Sequence, residues 1–172
     1  MSSLSFGQVI VEDDFTYADG ALVGNGTWAS HSGVAGTLLV SAGQVVVEHG
    51  IPDEDANLQF TPNAGTMYFG LHFSFDDLGA PYAGTDNEYF AHFFQDGSFA
   101  YKARLDVVPG TAGGDYTVGI ASADSTADAI WGTDLVFGTS YRAIVKFDVT
   151  TNQAQLWIDP VDEASTSIKT SR

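Results

Sequence analysis

The chain has no cysteine among its 172 residues. Disulfide staples, thiolate zinc sites and a thiolate nucleophile are therefore excluded. Basic residues are scarce: 6 Lys and Arg stand against 22 Asp and Glu, a formal net charge of −16. Such a surface repels phosphates and anionic headgroups, which argues against nucleic acid as a partner. It suits a solvated surface, a saline environment or cation binding. No apolar run approaches the ~20 residues that span a bilayer, so no membrane span is expected. The opening MSSLSFGQVIVEDD lacks the basic and apolar regions of a secretory leader. Helical periodicity is also missing, since apolar residues nowhere recur at i, i+3, i+4 and i+7 over successive turns. Only SADSTADAIWG, 122–132, fits a short helical turn.

What is present alternates. Segments 8–12, 37–41, 44–48, 57–60, 66–75, 88–94, 98–106, 116–121, 141–148 and 154–159 are rich in Val, Ile, Phe, Tyr and Thr. Gly, Asp, Asn and Ser clusters separate them, the pattern of strands and turns. The spacing predicts an all-β antiparallel sandwich in one domain over 1–172, with residues 159–172 an exposed tail. In 66–75, Met67, Phe69, Leu71, Phe73 and Phe75 share one face, opposite Tyr68, Gly70, His72 and Ser74. In 141–148, Tyr141, Ala143, Val145 and Phe147 oppose Arg142, Lys146 and Asp148.

The stretch EYFAHFFQDGSFAYKARLDV, 88–107, reads as a hairpin turning at Asp96-Gly97. Counting outward pairs Phe94 with Phe99, His92 with Tyr101, Phe90 with Ala103 and Glu88 with Leu105 on a core face. Tyr89, Phe93, Lys102 and Arg104 fall on the other face. That strip is either aliphatic stems lying over rings or a ligand surface, with a sugar stacked on Tyr89 and bonded by Arg104. Trp157 alternates with Gln153, Gln155 and Asp159, so an exposed indole there suits sugar stacking. Trp28 is expected to plug one end of the sandwich; Trp131 is left open.

Several segments in order resemble the LamG-like jelly-roll proteins of the concanavalin A-like lectin/glucanase superfamily. They are EDDFTYADGAL, GNGTWASHSG, LLVSAGQVVV, the 88–107 hairpin, YTVGIAS and DLVFGTSYRAIVKFDVTTNQAQLWIDPVDE. The resemblance implies a jelly roll of two curved sheets, roughly 10 to 12 strands, whose concave sheet binds glycan. It also implies a calcium ion at a groove rim, for which Asp76, Asp77 and Asp86 are the candidate ligands; solvated acidic turns are the alternative. Relatives close with a further strand that is not legible here, which leaves an edge for a second copy or a larger assembly to complete.

Catalysis finds little support. The Glu-x-Asp-x-x-Glu arrangement of the glucanases is missing, since Asp86-x-Glu88 is followed by Ala91 at the third position. A retaining mechanism needs two carboxyls ~5–5.5 Å apart. No Gly-x-Ser-x-Gly elbow occurs either. The expectation is a non-catalytic, glycan-binding module displayed outside the cell or on a virion. The rival is a structural component of an assembly such as a phage capsid decoration or fibre protein, and a polysaccharide hydrolase or lyase is the third reading.

Overall fold

The computed structural model describes residues 8–50, 53–61, 64–85, 88–95 and 100–171, and no helix occurs among them. The fold is all-β and antiparallel, as the alternation predicts. The chain divides into two compact units, 1–62 and 63–172.

The first unit holds β1 (Gly20–Ala21), β2 (Ala29–Gly33), β3 (Leu39–Ser41), β4 (Gln44–Val46) and β5 (Glu54–Asn57). They form a three-stranded sheet, β1-β3-β4, and a β2-β5 ribbon. Two expectations are corrected here. Residues 8–12 form no strand, and Val9, Ile10 and Val11 are exposed. Alternation yields a strand only where a neighbour pairs it, and none does among the described residues. The strand expected at 57–60 instead spans Glu54–Asn57, held against β2 across a bulge between Ser30 and Ser32. Gly33, with φ +80°, closes that bulge. A Cβ there would lie 2.0 Å from the Asp53 carbonyl oxygen, so only glycine fits. Trp28 belongs to this unit, where its indole donates to Asp13 Oδ2 at 2.8 Å and its ring tilts over Phe15.

Glu54 anchors the unit. Its Oε2 accepts the backbone amides of Gly36 (2.8 Å), Thr37 (3.1 Å) and Leu38 (3.2 Å). Burial pushes the carboxyl pKa up, and those amides with the Ser30 hydroxyl more than reverse it, leaving it below the ordinary value. Its stabilisation is therefore full above the unfolded glutamate pKa and is lost as pH falls through the depressed folded value. Glu54→Gln is expected to destabilise the unit by about 2 kcal/mol, the scale of charged hydrogen bonds. It should also flatten the acid limb of a pH–stability curve measured by denaturation; an unchanged acid limb would contradict the anchor.

The second unit holds β6 (Thr66–Phe73), β7 (Glu88–Gln95), β8 (Ala100–Val108), β9 (Thr117–Ala121), β10 (Ala129–Ile130), β11 (Tyr141–Asp148), β12 (Gln153–Ile158) and β13 (Ile168–Lys169). Two four-stranded sheets result, β13-β12-β11-β6 and β10-β9-β8-β7. They stack as a sandwich around one core. The chain leaves the first sheet after β6, builds the second as a meander, and returns with β11 beside β6. The core takes the faces read from the sequence: Met67, Phe69, Leu71, Phe73 and Phe75 meet Tyr141, Ala143, Val145 and Phe147. Each Val, Leu, Phe or Met side chain among them contributes roughly 1.5–3 kcal/mol on full burial. Trp131 packs against this core too.

The segment 122–132 forms no helical turn; Ala129 and Ile130 pair with Ile120 and Gly119. The tail is not an exposed terminus. Ile168 and Lys169 pair with Leu156 and Gln155, so a closing strand covers the β12 edge. Thr170 beyond it is buried, its hydroxyl against Ser122 Oγ and accepting from the Ala154 amide. A two-residue strand carries too little alternation to be read from sequence.

Candidate functional site

The β7–β8 hairpin is two residues out of the expected register. Gln95 pairs with Ala100, Phe94 with Tyr101 and Phe93 with Lys102, so four residues, 96–99, connect the strands instead of Asp96-Gly97 alone. A shift of two preserves faces; two bulges do not. Lys102 pairs with Phe93 and Leu105 with Ala91, which sets Ala103 and Arg104 opposite His92. Ala103 there has φ +50°. Next, Phe90 is the extra residue between the Ala91–Leu105 and Tyr89–Asp106 pairs.

The bulges re-sort the side chains. Phe90 and Phe93 turn to the core, edge-on to Phe75 and Phe69 respectively. His92 and Phe94, expected in the core, lie on the other face with Tyr89 and Tyr101. His92 sits 4.9 Å from the Tyr101 ring and 5.3 Å from Tyr89. The four candidate ligand residues separate accordingly. Arg104 does lie over Tyr89, at 5.2 Å from the ring centroid. Lys102 does not join them, because it follows Phe93 inward and donates to Asn152 Oδ1 at 2.8 Å. Arg104 is only 3% exposed and Asp106 0%. The guanidinium meets the Asp106 carboxylate at 2.8 Å. A cation so enclosed is committed to its carboxylate and offers little to a ligand.

Trp157 is likewise not an exposed platform: it is 2% exposed. It shares a face with Ile144, its register partner, and Ile144 in turn neighbours Gly70. A Cβ on Gly70 would come within 2.8 Å of Ile144 Cδ1, so the glycine makes room for this row.

The next row of the same face is polar. Tyr68, Lys146, Gln155 and Lys169 stand side by side across β6, β11, β12 and β13. At ~4.8 Å between strands the row is roughly 14 Å long. Beyond it Asp148 pairs with Gln153. Lys146, Asp148, Gln153, Gln155 and Lys169 line a cavity of about 70 Å³. That is well below the ~300–1,000 Å³ of a drug-sized pocket, and suits one small polar group of a larger ligand. Tyr68 is 51% exposed, and the Lys146 ammonium lies 5.7 Å from its ring centroid. Gln155 Nε2 donates to Ser167 Oγ at 2.8 Å and Gln153 Nε2 to the Thr170 carbonyl at 3.0 Å, which orients both amides.

The two carboxylates here are held ionised. The Thr151 and Thr150 amides both donate to Asp148 Oδ1 at 2.9 Å and hold its pKa below the usual range. The Lys146 ammonium does the same for Glu163, whose Oε1 accepts Lys146 Nζ at 3.2 Å and the Tyr68 hydroxyl at 3.1 Å. Neither suits a general acid at neutral pH.

Of the candidate calcium ligands, Asp86 lies outside the described residues. Asp76 and Asp77 are exposed neighbours, and Asp77 Oδ1 accepts the Gly79 amide of its own turn. Among the described residues no three His, Asp or Glu side chains converge as a metal site. Two adjacent carboxylates, one of them capping a turn, supply few of the 6–8 oxygens calcium takes. No helix among the described residues is long and apolar enough to cross a membrane. The polar row was legible only strand by strand: each residue falls on a polar face by alternation, but their adjacency follows from sheet order, and Lys169 enters through a strand too short to read. No family model, curated protein or solved structure matches this chain.

Proposed function

We propose that this chain is a non-catalytic glycan-binding module, displayed outside the cell or on a virion, that engages sugar on the Tyr68–Lys146–Gln155–Lys169 row. The observation that carries the reading is a half-exposed tyrosine ring beside a small cavity lined by oriented amides and two of the chain's six basic residues. A pyranose presents an apolar face and a rim of hydroxyls. An exposed ring takes the first, and fixed amide and ammonium donors take the second. The resemblance of the segment order to LamG-like proteins points the same way. Within this reading neither local carboxylate is a proton donor, since each is held below its usual pKa by donors already in place.

One ground for the rival reading, a component of a protein assembly, is an open edge, and β13 pairs with Gln155 and Leu156 on the edge of β12. Tyr68→Ala is expected to weaken binding to a responsive oligosaccharide roughly tenfold, about 1.4 kcal/mol, while leaving the fold intact. A glycan panel followed by titration calorimetry checks this. No binding anywhere on the panel, or binding indifferent to Tyr68→Ala, overturns the reading. A defined oligomer by light scattering, indifferent to sugars, would favour the assembly instead.

A further inference from the structure

Glu163 makes an unusual pair of contacts for so exposed a residue. Its side chain is 68% exposed, yet one oxygen, Oε1, accepts both the Lys146 ammonium and the Tyr68 hydroxyl. It reaches them from a turn that forms without it. The Asp162 carboxylate accepts the Ala164 amide, Ser165 Oγ accepts the Val161 and Asp162 amides, and Ser165 N donates to the Asp162 carbonyl. Flanking anchors hold the segment on either side. Arg142 donates to the Pro160 carbonyl, and Gln155 reaches Ser167. The carboxylate can therefore leave the row without the segment unfolding.

On a chain with so few cations, the row places two of them on either side of Gln155. Among the described residues the ion pairs are Arg104–Asp106 and Lys146–Glu163, so Lys169 has no carboxylate partner there. The Asp148 charge is turned into its own β11–β12 hairpin by two backbone amides. With Glu163 displaced, the row holds two ammonium groups and one such capped carboxylate.

We propose that Glu163 occupies the place of a ligand carboxylate, and that the preferred ligand is a glycan carrying carboxylates, a uronic-acid oligosaccharide. The inference rests on the glycan-binding reading and names its ligand class. The uronate carboxylate takes the Lys146 and Tyr68 contacts that Glu163 gives up, and its neighbour along the chain reaches Lys169. Long-range repulsion from the other acidic residues does not forbid this at physiological salt. The Debye length of ≈ 8 Å is shorter than the row, so only local charges count.

The test uses the full chain at 0.15 M salt. The probes are tetrasaccharides of galacturonate, glucuronate and mannuronate, each paired with its methyl-esterified, uncharged form. The acid form should bind at least several-fold tighter than its ester for one of the three. Glu163→Ala should tighten the acid form roughly two- to five-fold, the range an exposed ion pair spans, and leave the ester unchanged. Lys169→Gln should weaken the acid form and again spare the ester. Equal binding of acid and ester, or no gain from Glu163→Ala, overturns this inference while leaving glycan binding standing. Failure of these six probes together with the wider glycan panel overturns both.

Discussion

Asp106→Ala is expected to destabilise the second unit by about 3–5 kcal/mol, because it leaves the Arg104 guanidinium buried without its counter-ion. The two side chains are 4% and 0% exposed and meet at 2.8 Å, with Tyr89 beneath the guanidinium. Desolvating either charge alone is costly, and their attraction in a low-dielectric setting is what offsets it. The signature is non-additivity. Arg104→Met combined with Asp106→Leu should cost less than Asp106→Ala alone, since the pair replaced by apolar groups leaves no orphaned charge. Denaturant midpoints of the three variants decide it. A double variant at least as unstable as the single one would show that the pair is not the source of the cost.

Trp157→Ala is the second large effect, about 3–5 kcal/mol from the lost transfer energy and the cavity left behind. The interest lies in what does not change. If this indole stacked on sugar, the variant would lose affinity and keep its stability. Enclosed as it is at 2% exposure, it should lose stability, while on the proposed reading the molecules still folded should show an unchanged affinity. Trp157→Phe should cost less. It keeps most of the ring and removes an indole N–H that has no acceptor among the described residues. An unaltered denaturation midpoint for Trp157→Ala, measured by circular dichroism, would refute the packing role.

Sequence carried the architecture further than the site. Alternation correctly placed Met67 through Phe75 and Tyr141 through Phe147 on core faces, because long strands with one greasy side have one stable register. It misplaced His92, Phe94 and Phe93 because period-2 counting assumes an unbroken ladder, and a bulge inserts a half-step that composition does not announce. Asp96-Gly97 drew the register to the tightest turn, whereas the strands stop at Gln95 and Ala100. The acidic loops show a use that sequence does not announce. Asp13, Glu54, Asp77, Asp134, Asp148 and Asp162 all accept backbone amides near turns or strand ends. Much of the acidity that suggested cation binding thus serves to finish backbone hydrogen bonding, a use the sequence does not distinguish from a ligand role.

The paired irregularities of β7 and β8 have a consequence for what this hairpin can hold. One strand gains a residue and then the other does, so pairing beyond Tyr89 and beyond Phe93 runs in the same phase. The short interval between is mechanically insulated. Its side chains, buried Ala103, Arg104 and Leu105 among them, point where an unbroken ladder would not put them, and the flanking pairs are undisturbed. The hairpin can thus enclose a guanidinium over an aromatic ring, out of the plain alternation, while both ends of the ladder keep one phase.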